Sequence, residues 1–449
     1  MLRAHVPAAV ARLTPQGHLS ALQNLQLAIS LPLRNQQPLT DLLRQISDPA
    51  SPQYRQYLTP AQFTERFGPT EQDYQGLIDF AKSHGLRVTG THPNRVILDV
   101  EGSVSTVENT FHVKMWSYQH PSENRKFYAP DMEPSIDLSI PILGISGLSN
   151  YSLPHPRYKF NTALASPNSG SASNGGYMGN DFRNAYVPGV SLTGSGQTVG
   201  LLQFDGYTTS DITYYENLTG RSNVPITNVL LDGFSGTPTG SGGEVEVSLD
   251  IEMVLSMAPG VSDIMVYEAG PGGNWHDILN RIANDNLAKQ VSCSWYIPGG
   301  AADPTADEIF QQMAAQGQSF FTASGDYDAF TGLIPFPGDT PYATEVGGTI
   351  LNTTSSGGSY ASETAWNRNN GIGTGGGVST QYSIPSWQQG ISMTANLGST
   401  TMRNVPDVAL TAENVYVRAD GVDYSVGGTS CAAPLWAGFT ALGSVSDLA

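Results

Sequence analysis

The sequence of 449 residues has only two cysteines, Cys293 and Cys431, so it has no disulfide framework and at most one bridge between them. It also lacks any apolar run near the roughly 18 residues that a membrane-spanning helix requires, which argues against a membrane protein. The first residues lack the hydrophobic core of a secretory signal peptide. At this length, we expect at least two domains, each with its own core.

Basic residues are scarce in the second half of the chain. Residues 176–449 carry 7 Lys and Arg against 26 Asp and Glu, whereas residues 1–175 carry 14 against 13. Because nucleic-acid binding needs clustered Lys and Arg, this balance argues against nucleic acid as a partner. It favours either simple solubility or tolerance of low pH, since a chain with few bases gains little positive charge when its carboxylates protonate.

Histidine is also scarce where a hydrolase would need it. The stretch GGTSCAAP, residues 427–434, is typical of a nucleophile segment, and we expect Ser430 to cap an apolar helix at its positive end. Serine hydrolases normally use histidine as the general base. Of the eight histidines, only His276 follows residue 155, and its helical pattern predicts a surface position. The base is therefore sought among carboxylates.

The segment GGEVEVSLDIEMVLSMAPG, residues 242–260, combines four acids with an apolar helical pattern. Glu246 and Asp250, four residues apart, share one helix face, whereas Glu244 and Glu252 point elsewhere. Such a pair is often a solvated surface, but in a partly buried site two carboxyls titrate together and share a proton in acid. Glu246 would then accept the serine proton while Asp250 orients it.

A further acid, Asp326, follows the strand pattern of SFFTASGDYD at residues 319–328. It is either an ordinary turn residue or, with a raised pKa, a neutral acid that donates a hydrogen bond to a developing oxyanion. Cys431 is an alternative nucleophile. Because it follows Ser430 by one step into an apolar helix, we expect it instead to be a small residue of the core.

The patterning divides the chain into three parts. Residues 1–151 mix helical and strand patterns and predict an α+β domain. Residues 152–180 are rich in Pro, Ser, Gly and Asn and predict an exposed, cleavable linker. Residues 181–449 alternate apolar strands with helices, which predicts an α/β domain whose parallel sheet carries functional residues at the carboxyl ends of its strands.

Several of these motifs resemble the sedolisin family of serine-carboxyl peptidases, kumamolisin-like proenzymes in particular. Before the linker, SPQYRQYLTPAQFTERFGPTEQDYQGLIDFAKSHGL is similar to the activation domain, and after it come GEVEVSLDIEMVLSMAPG, QVSCSW, TASGD, PYATEVGGT, ETAWN, RNVPDVA and GGTSCAAP in the order of the family. The resemblance implies a subtilisin-like catalytic domain and a ferredoxin-like activation prodomain that inhibits it within the same chain. It implies a catalytic triad of Glu246, Asp250 and Ser430, with Asp326 at the oxyanion.

The resemblance also implies a secreted, self-processing acid endopeptidase that acts on proteins or peptides, and we expect a monomer. It implies calcium, bound by an Asp-rich and Gly-rich segment some tens of residues beyond the nucleophile. This chain stops 19 residues after Ser430, so the ligands are expected beyond Ala449 and the chain is expected to be a fragment that also lacks its leader. Tyr327 stands where the family usually has a small residue, which would narrow the site.

Two other functions stay open on the sequence. One is a catalytically silent relative that binds proteins or acts as a chaperone, and the other is a cysteine hydrolase that uses Cys431. Neither the preferred substrate side chain nor the bond that is cleaved in the linker is predicted from the sequence.

Overall fold

The computed structural model describes residues 2–160, 170–300 and 302–443. Residues 161–169, in the middle of the predicted linker, lie outside the described residues. The chain divides into two compact units: a first unit of Met1–Leu153, Asn274–Asn286 and Asp303–Gly317, and a second unit of Pro154–Gly273, Leu287–Ala302 and Gln318–Ala449. No helix among the described residues has the length and apolar character needed to cross a membrane.

The α-helices among the described residues are, in chain order, α1 (Gln36–Ser47), α2 (Pro60–Phe67), α3 (Glu71–Ser83), α4 (Val104–Phe111), α5 (Asn180–Tyr186), α6 (Thr209–Leu218), α7 (Gly243–Met257), α8 (Trp275–Asp285), α9 (Pro304–Ala315) and α10 (Thr429–Ala441).

The strands are, in the same order, β1 (Gly17–His18), β2 (Asn24–Ser30), β3 (Arg87–Thr91), β4 (Ile97–Ser103), β5 (Met115–Gln119), β6 (Lys126–Pro130), β7 (Gly144–Ser146), β8 (His155–Pro156), β9 (Lys159–Phe160), β10 (Thr198–Gln203), β11 (Ile226–Leu230), β12 (Asp263–Glu268), β13 (Gln290–Cys293), β14 (Trp295–Tyr296), β15 (Ser319–Ala323), β16 (Thr344–Thr353), β17 (Tyr360–Ala365), β18 (Gly377–Ser383), β19 (Met402–Val405), β20 (Val408–Thr411), β21 (Val415–Ala419) and β22 (Val422–Gly427).

The first unit combines helices with two antiparallel sheets, as an α+β domain does. One sheet has the order β3, β4, β2, β7 and the other the order β1, β5, β6. Helices α2, α3 and α4 begin where Thr59, Thr70 and Ser103 each accept a hydrogen bond from the backbone N–H three residues further on, which satisfies a free donor of the first turn. The predicted fold class of this part is confirmed.

Two helices from the second half of the sequence, α8 and α9, belong to the first compact unit. The buried Asn94 donates hydrogen bonds to Asn280 of α8 at 2.6 Å and to Gln312 of α9 at 2.8 Å. Glu308 of α9 accepts a hydrogen bond from the Leu33 N–H at 2.8 Å. The alternation of strands and helices could not reveal this grouping, because these contacts join residues more than 180 positions apart.

The second unit is built on an eight-stranded sheet with the order β11, β12, β10, β13, β15, β16, β17, in which β20 also pairs with β16. Its neighbouring strands are parallel except for the pair of β16 and β17. Gln203 ends β10, Ser294 follows β13, and Asp326 follows β15. Since these three strands are neighbours and parallel, their carboxyl ends meet at one edge of the sheet, as predicted for functional residues.

Helices α7 and α10 pack against each other in the second unit. Every residue of α7 is buried, including its four acids, so this helix is surrounded by protein on all sides. Helix α10 begins at Thr429 with Gly428 as its N-cap residue. The prediction that Ser430 caps the helix is therefore wrong. Ser430 is instead the second helical residue, and its backbone N–H is one of those that no helical carbonyl can bind.

Part of the predicted linker is ordered within the second unit. β8 pairs antiparallel with β14, and β9 pairs antiparallel with β22. Between these two strands Arg157 is only 2% exposed, so the prediction of an exposed linker is wrong for this residue. Composition suggested exposure because it does not reveal backbone pairing with strands far away in the sequence.

Candidate active site

Ser430 and Glu246 come together because α10 packs against α7. Ser430 Oγ donates a hydrogen bond to Glu246 Oε2 at 2.9 Å, and both side chains are fully buried. Glu246 Oε1 is also buried and has no hydrogen-bond partner among the described residues. This is the arrangement of a hydroxyl beside a general base.

Asp250 lies one helical turn after Glu246, as the spacing predicted. Its two carboxylate oxygens accept hydrogen bonds from Ser294 Oγ and Gln203 Nε2, each at 2.7 Å. Gln203 is held in turn by Trp295, whose Nε1 donates to Gln203 Oε1 at 2.8 Å. The sequence-based reading did not single out these three supporting residues, although QVSCSW was among the family motifs.

Burial raises the pKa of both carboxyl groups of α7. The pKa of Asp250 is raised to about 7, against the opposing effect of the hydrogen bonds from Ser294 and Gln203. The pKa of Glu246 is raised well above its ordinary value by burial and then by the charge of Asp250. Below neutral pH the pair therefore retains at least one proton.

Asp326 lies beside the first residue of α10. Its Oδ1 accepts hydrogen bonds from the backbone N–H and from Oγ1 of Thr429, while Oδ2 is buried without a hydrogen-bond partner among the described residues. Burial raises the pKa of Asp326 to about 6, so this carboxyl is neutral in acid. A neutral carboxyl group can donate a hydrogen bond from its free oxygen.

Residues 155–160 run through this centre as an extended peptide. The backbone N–H of Arg157 donates to Ser294 O at 3.0 Å and to Glu246 Oε2 at 2.9 Å. The carbonyl oxygen of Arg157 accepts hydrogen bonds from Ser430 Oγ and, at 3.2 Å, from the Ser430 backbone N–H. A peptide bond of the chain itself is thus placed at the serine.

Gly428 leaves the space in which this peptide bond lies. Its φ is +136°, and a Cβ there would lie 2.6 Å from the carbonyl oxygen of Arg157, 2.8 Å from Asp326 Oδ2 and 2.9 Å from the Cα of Tyr158. Any other residue would therefore strike the bound backbone. Gly428 thus allows a peptide to approach Ser430 closely.

Three other residues that the sequence singled out, Cys431, His276 and Tyr327, lie in other surroundings. Cys293 and Cys431 are both free and buried, and burial raises the pKa of Cys431 well above its ordinary value, which disfavours a thiolate. His276 belongs to the first unit, where its Nε2 lies 2.8 Å from Asp303 Oδ2. Its side chain is 13% exposed, so it lies only partly at the surface. Tyr327 is 61% exposed, and the Lys159 ammonium lies 4.4 Å from the centre of its ring.

No group of three or more His, Cys, Asp or Glu side chains within residues 2–160, 170–300 and 302–443 is arranged to hold a metal ion. The calcium that the family resemblance implies thus has no cluster of acidic side chains of this kind among the described residues.

Comparison with known proteins agrees with the fold and the site. Residues 11–151 match the family model of the pro-kumamolisin activation domain. Sedolisin of Pseudomonas sp. (strain 101) is 29% identical over 95% of this chain and 77% of its own length, and kumamolisin of Bacillus sp. (strain MN-32) is 29% identical over 87% and 75%. A solved structure of Pseudomonas sedolisin, a serine-carboxyl proteinase in complex with pseudo-iodotyrostatin, matches 62% of this chain and 81% of that chain with a TM-score of 0.51 and 26% identity. Tripeptidyl-peptidases also occur among the relatives.

The fold, the buried serine–carboxylate pair and these matches define a serine-carboxyl peptidase that is made as a zymogen with an activation domain. The predicted resemblance to the sedolisin family and the predicted subtilisin-like fold are confirmed.

Proposed function

We propose that this protein is an acid-active endopeptidase in which Ser430 is the nucleophile and Glu246 the general base. Asp250 orients Glu246, and Asp326 donates a hydrogen bond to the oxyanion. One observation carries the proposal: Ser430 Oγ lies between the carboxylate oxygen of Glu246 and the carbonyl oxygen of a peptide bond. A nucleophile, its base and a substrate-like carbonyl are thus in mutual reach.

The reaction follows from this arrangement. Ser430 Oγ attacks the carbonyl carbon while its proton passes to Glu246, and the carbonyl oxygen becomes an oxyanion that accepts hydrogen bonds from the Ser430 N–H and from protonated Asp326. The C–N bond then breaks as Glu246 returns the proton to the leaving amine. Water hydrolyses the acyl ester through the same base and releases the new carboxyl group and free serine.

The buried surroundings favour this chemistry at low pH. Because burial raises the pKa of Asp326 to about 6, the donor proton is present in acid and is lost toward neutrality. The coupled pair of Glu246 and Asp250 keeps a proton over the same range, because burial raises the pKa of both carboxyl groups. Because the group that accepts the hydrogen bond from Ser430 Oγ as base is a carboxylate and not a histidine, acid pH does not disable it as it would an imidazole.

The path of the bound segment supports endopeptidase rather than tripeptidyl-peptidase activity. Chain continues on both sides of Arg157, with β8 paired to β14 before it and β9 paired to β22 after it. A site that accepts backbone on both sides of the reacting carbonyl does not require a free amino group three residues upstream. We therefore infer that proteins and long peptides are cleaved internally.

Further properties are part of the same proposal. We infer a secreted monomer whose activation domain inhibits it within the chain until processing, and which binds neither nucleic acid nor membrane. Calcium remains a prediction from the family resemblance, and no step of the reaction is assigned to it.

An N-terminally blocked peptide tests the endopeptidase proposal. The full chain, activated near pH 4, is expected to cleave such a peptide internally, and the Ser430→Ala variant is expected to leave it intact. Release of tripeptides from free N-termini, with blocked peptides untouched, would instead show a tripeptidyl-peptidase. Mass spectrometry of the products distinguishes the two.

A further inference from the structure

The register of residues 155–160 singles out one peptide bond. Trp295 pairs with Pro156, and Gly427 pairs with Lys159, so the chain is held on both sides of the Arg157–Tyr158 bond. The carbonyl oxygen of Arg157 is the one that Ser430 contacts through both Oγ and the backbone N–H. The Tyr158 hydroxyl donates to Gly242 O at 2.9 Å, which fixes the residue after this bond.

The side chain of Arg157 fills a pocket beside the serine. Its guanidinium carbon lies 4.6 Å from the centre of the Tyr296 ring, and Nη1 donates a hydrogen bond to the carbonyl oxygen of Ala323. Gly325 forms another wall, since a Cβ there would lie 3.2 Å from Arg157 Nη1. An aromatic face and a carbonyl oxygen are both favourable neighbours for a planar cation.

The pocket also has a buried carboxyl group near it, that of Glu345. Glu345 is fully buried, and neither of its carboxylate oxygens has a hydrogen-bond partner among the described residues. Arg157 Nη2 is likewise buried without one. The other buried cation nearby, Arg403, is already paired through two hydrogen bonds of 2.9 and 2.8 Å to Asp407. Glu345 pairs in the sheet with Thr322, the neighbour of Ala323, whose carbonyl oxygen binds the Arg157 guanidinium.

The ionisation of Arg157 and that of Glu345 depend on each other. Burial lowers the pKa of Arg157, and the charge of Glu345 is the largest effect that opposes it. Burial raises the pKa of Glu345 well above its ordinary value, and Arg157 is the first of the cations that oppose the rise. Each group thus favours the charged form of the other.

We propose that the enzyme selects a basic residue, arginine above all, on the acyl side of the cleaved bond through Glu345 and Tyr296, and that its first substrate is its own Arg157–Tyr158 bond. This inference rests on the proposed peptidase function and specifies its substrate class. In self-processing, Ser430 Oγ forms an ester with the Arg157 carbonyl carbon, and the Tyr158 nitrogen leaves as a free amine with the proton returned by Glu246. Water then hydrolyses the ester and leaves the Arg157 carboxyl group.

The first test locates the cleaved bond in the full chain. A time course near pH 4, followed by N-terminal sequencing and intact mass, is expected to show a first large product that begins at Tyr158. Arg157→Lys is expected to retain this cut, whereas Arg157→Glu is expected to slow it by about 30-fold or more, because a carboxyl group then replaces the cation that lies against the Tyr296 ring and the Ala323 carbonyl oxygen. A first cut at any other bond of the wild type overturns the assignment.

The second test measures specificity with blocked peptides that differ only in arginine or citrulline before the cleaved bond. Citrulline has nearly the same shape without the charge, so the wild-type ratio of kcat/KM for arginine over citrulline is expected to be about 30 or more. Glu345→Gln is expected to reduce that ratio at least about tenfold. A ratio near one in the wild type overturns the pocket assignment, and it does so even if the Glu345 variant fails to fold.

The outcomes separate this inference from the peptidase function on which it rests. If the wild type is as inert as Ser430→Ala toward every peptide, the proposed function itself is wrong. If cleavage depends on Ser430 but ignores the charge before the bond, only the specificity is wrong.

Discussion

Thr429 donates two hydrogen bonds to the same oxygen of Asp326, one from its backbone N–H and one from Oγ1, each at 2.9 Å. The other oxygen, Oδ2, lies 2.8 Å from the point where a Cβ on Gly428 would sit, and the carbonyl oxygen of Arg157 lies 2.6 Å from that same point. Because Oδ1 is already an acceptor twice, the proton of neutral Asp326 belongs on Oδ2, on the side of the reacting carbonyl.

The position of this proton on Asp326 predicts how enzyme activity falls on the alkaline side of its pH profile. Asp326 must keep its proton to donate, and burial raises its pKa to about 6, so activity is expected to fall as pH rises through this region. The side-chain amide of the Asp326→Asn variant donates a hydrogen bond at any pH. We expect kcat/KM of this variant to be lower by up to about 100-fold, but its remaining activity should persist to higher pH. The measurement is kcat/KM for one blocked peptide between pH 3 and pH 8.

Asp326→Ala serves as the control, because alanine cannot donate a hydrogen bond to the oxyanion. Its kcat/KM is expected to be lower by about 100-fold or more at every pH. An alanine variant with full activity would remove Asp326 from the mechanism. A wild type with its optimum near pH 8 would do the same.

Substitution of the acids of α7 tests the assignment of the base. Glu246→Gln removes the acceptor of the Ser430 proton and is expected to reduce kcat by about 1,000-fold or more, as is Ser430→Ala. Glu244→Gln is the matched control on the same helix, because Glu244 accepts hydrogen bonds from the backbone N–H of Gly242, whereas Ser430 Oγ donates to Glu246. Equal losses at both positions would move the base away from Glu246.

Local spacing was sufficient to predict part of the site. The four-residue spacing of Glu246 and Asp250 predicts that they share one helix face, as they do in α7. The partners of Asp250 and the acid at residue 345 were not singled out, because Gln203, Ser294 and Glu345 lie in parts of the sheet that are far apart in the sequence. The same limit explains Arg157, whose burial depends on pairing with residues 295–296 and 427.

The space at Gly428 is expected to be essential for catalysis. In Gly428→Ala the new methyl group would lie 2.6 Å from the carbonyl oxygen of Arg157 and 2.9 Å from the Cα of Tyr158, so the bound backbone must shift. We expect kcat/KM to fall by about 100-fold or more. Gly421→Ala is the control for backbone strain, since Gly421 also has positive φ, +70°, but its nearest neighbour is 3.9 Å away. Equal activity losses would assign the effect to strain alone.

Self-processing is expected to be intramolecular, because residues 155–160 of the chain already lie in its own site. The first-order rate constant for conversion near pH 4 should therefore stay the same across a 100-fold range of protein concentration. Ser430→Ala protein mixed with a small amount of active enzyme should be cut far more slowly than the wild type cuts itself. A rate that rises in proportion to concentration would show cleavage between molecules.

Stability is expected to be highest in acid, for a reason that lies in the buried carboxyl groups. Burial raises the pKa of Asp250 to about 7, of Asp326 to about 6 and of Glu268 to about 8, whereas unfolded carboxyls titrate near 4. Between about pH 4 and pH 8 the folded state thus binds more protons than the unfolded state, so the free energy of unfolding falls as pH rises.

Calorimetry of the uncleavable Ser430→Ala chain is expected to show a Tm lower by about 5 °C or more at pH 7.5 than at pH 4.5. Glu268→Gln should flatten this dependence, because both oxygens of Glu268 are buried without hydrogen-bond partners among the described residues and an amide cannot ionise there. Glu71→Gln is the matched control, since the Glu71 side chain is 90% exposed and its removal should leave the slope unchanged. A Tm that rises from pH 4.5 to pH 7.5 would mean that groups with lowered pKa values, such as Asp303 beside His276, dominate instead.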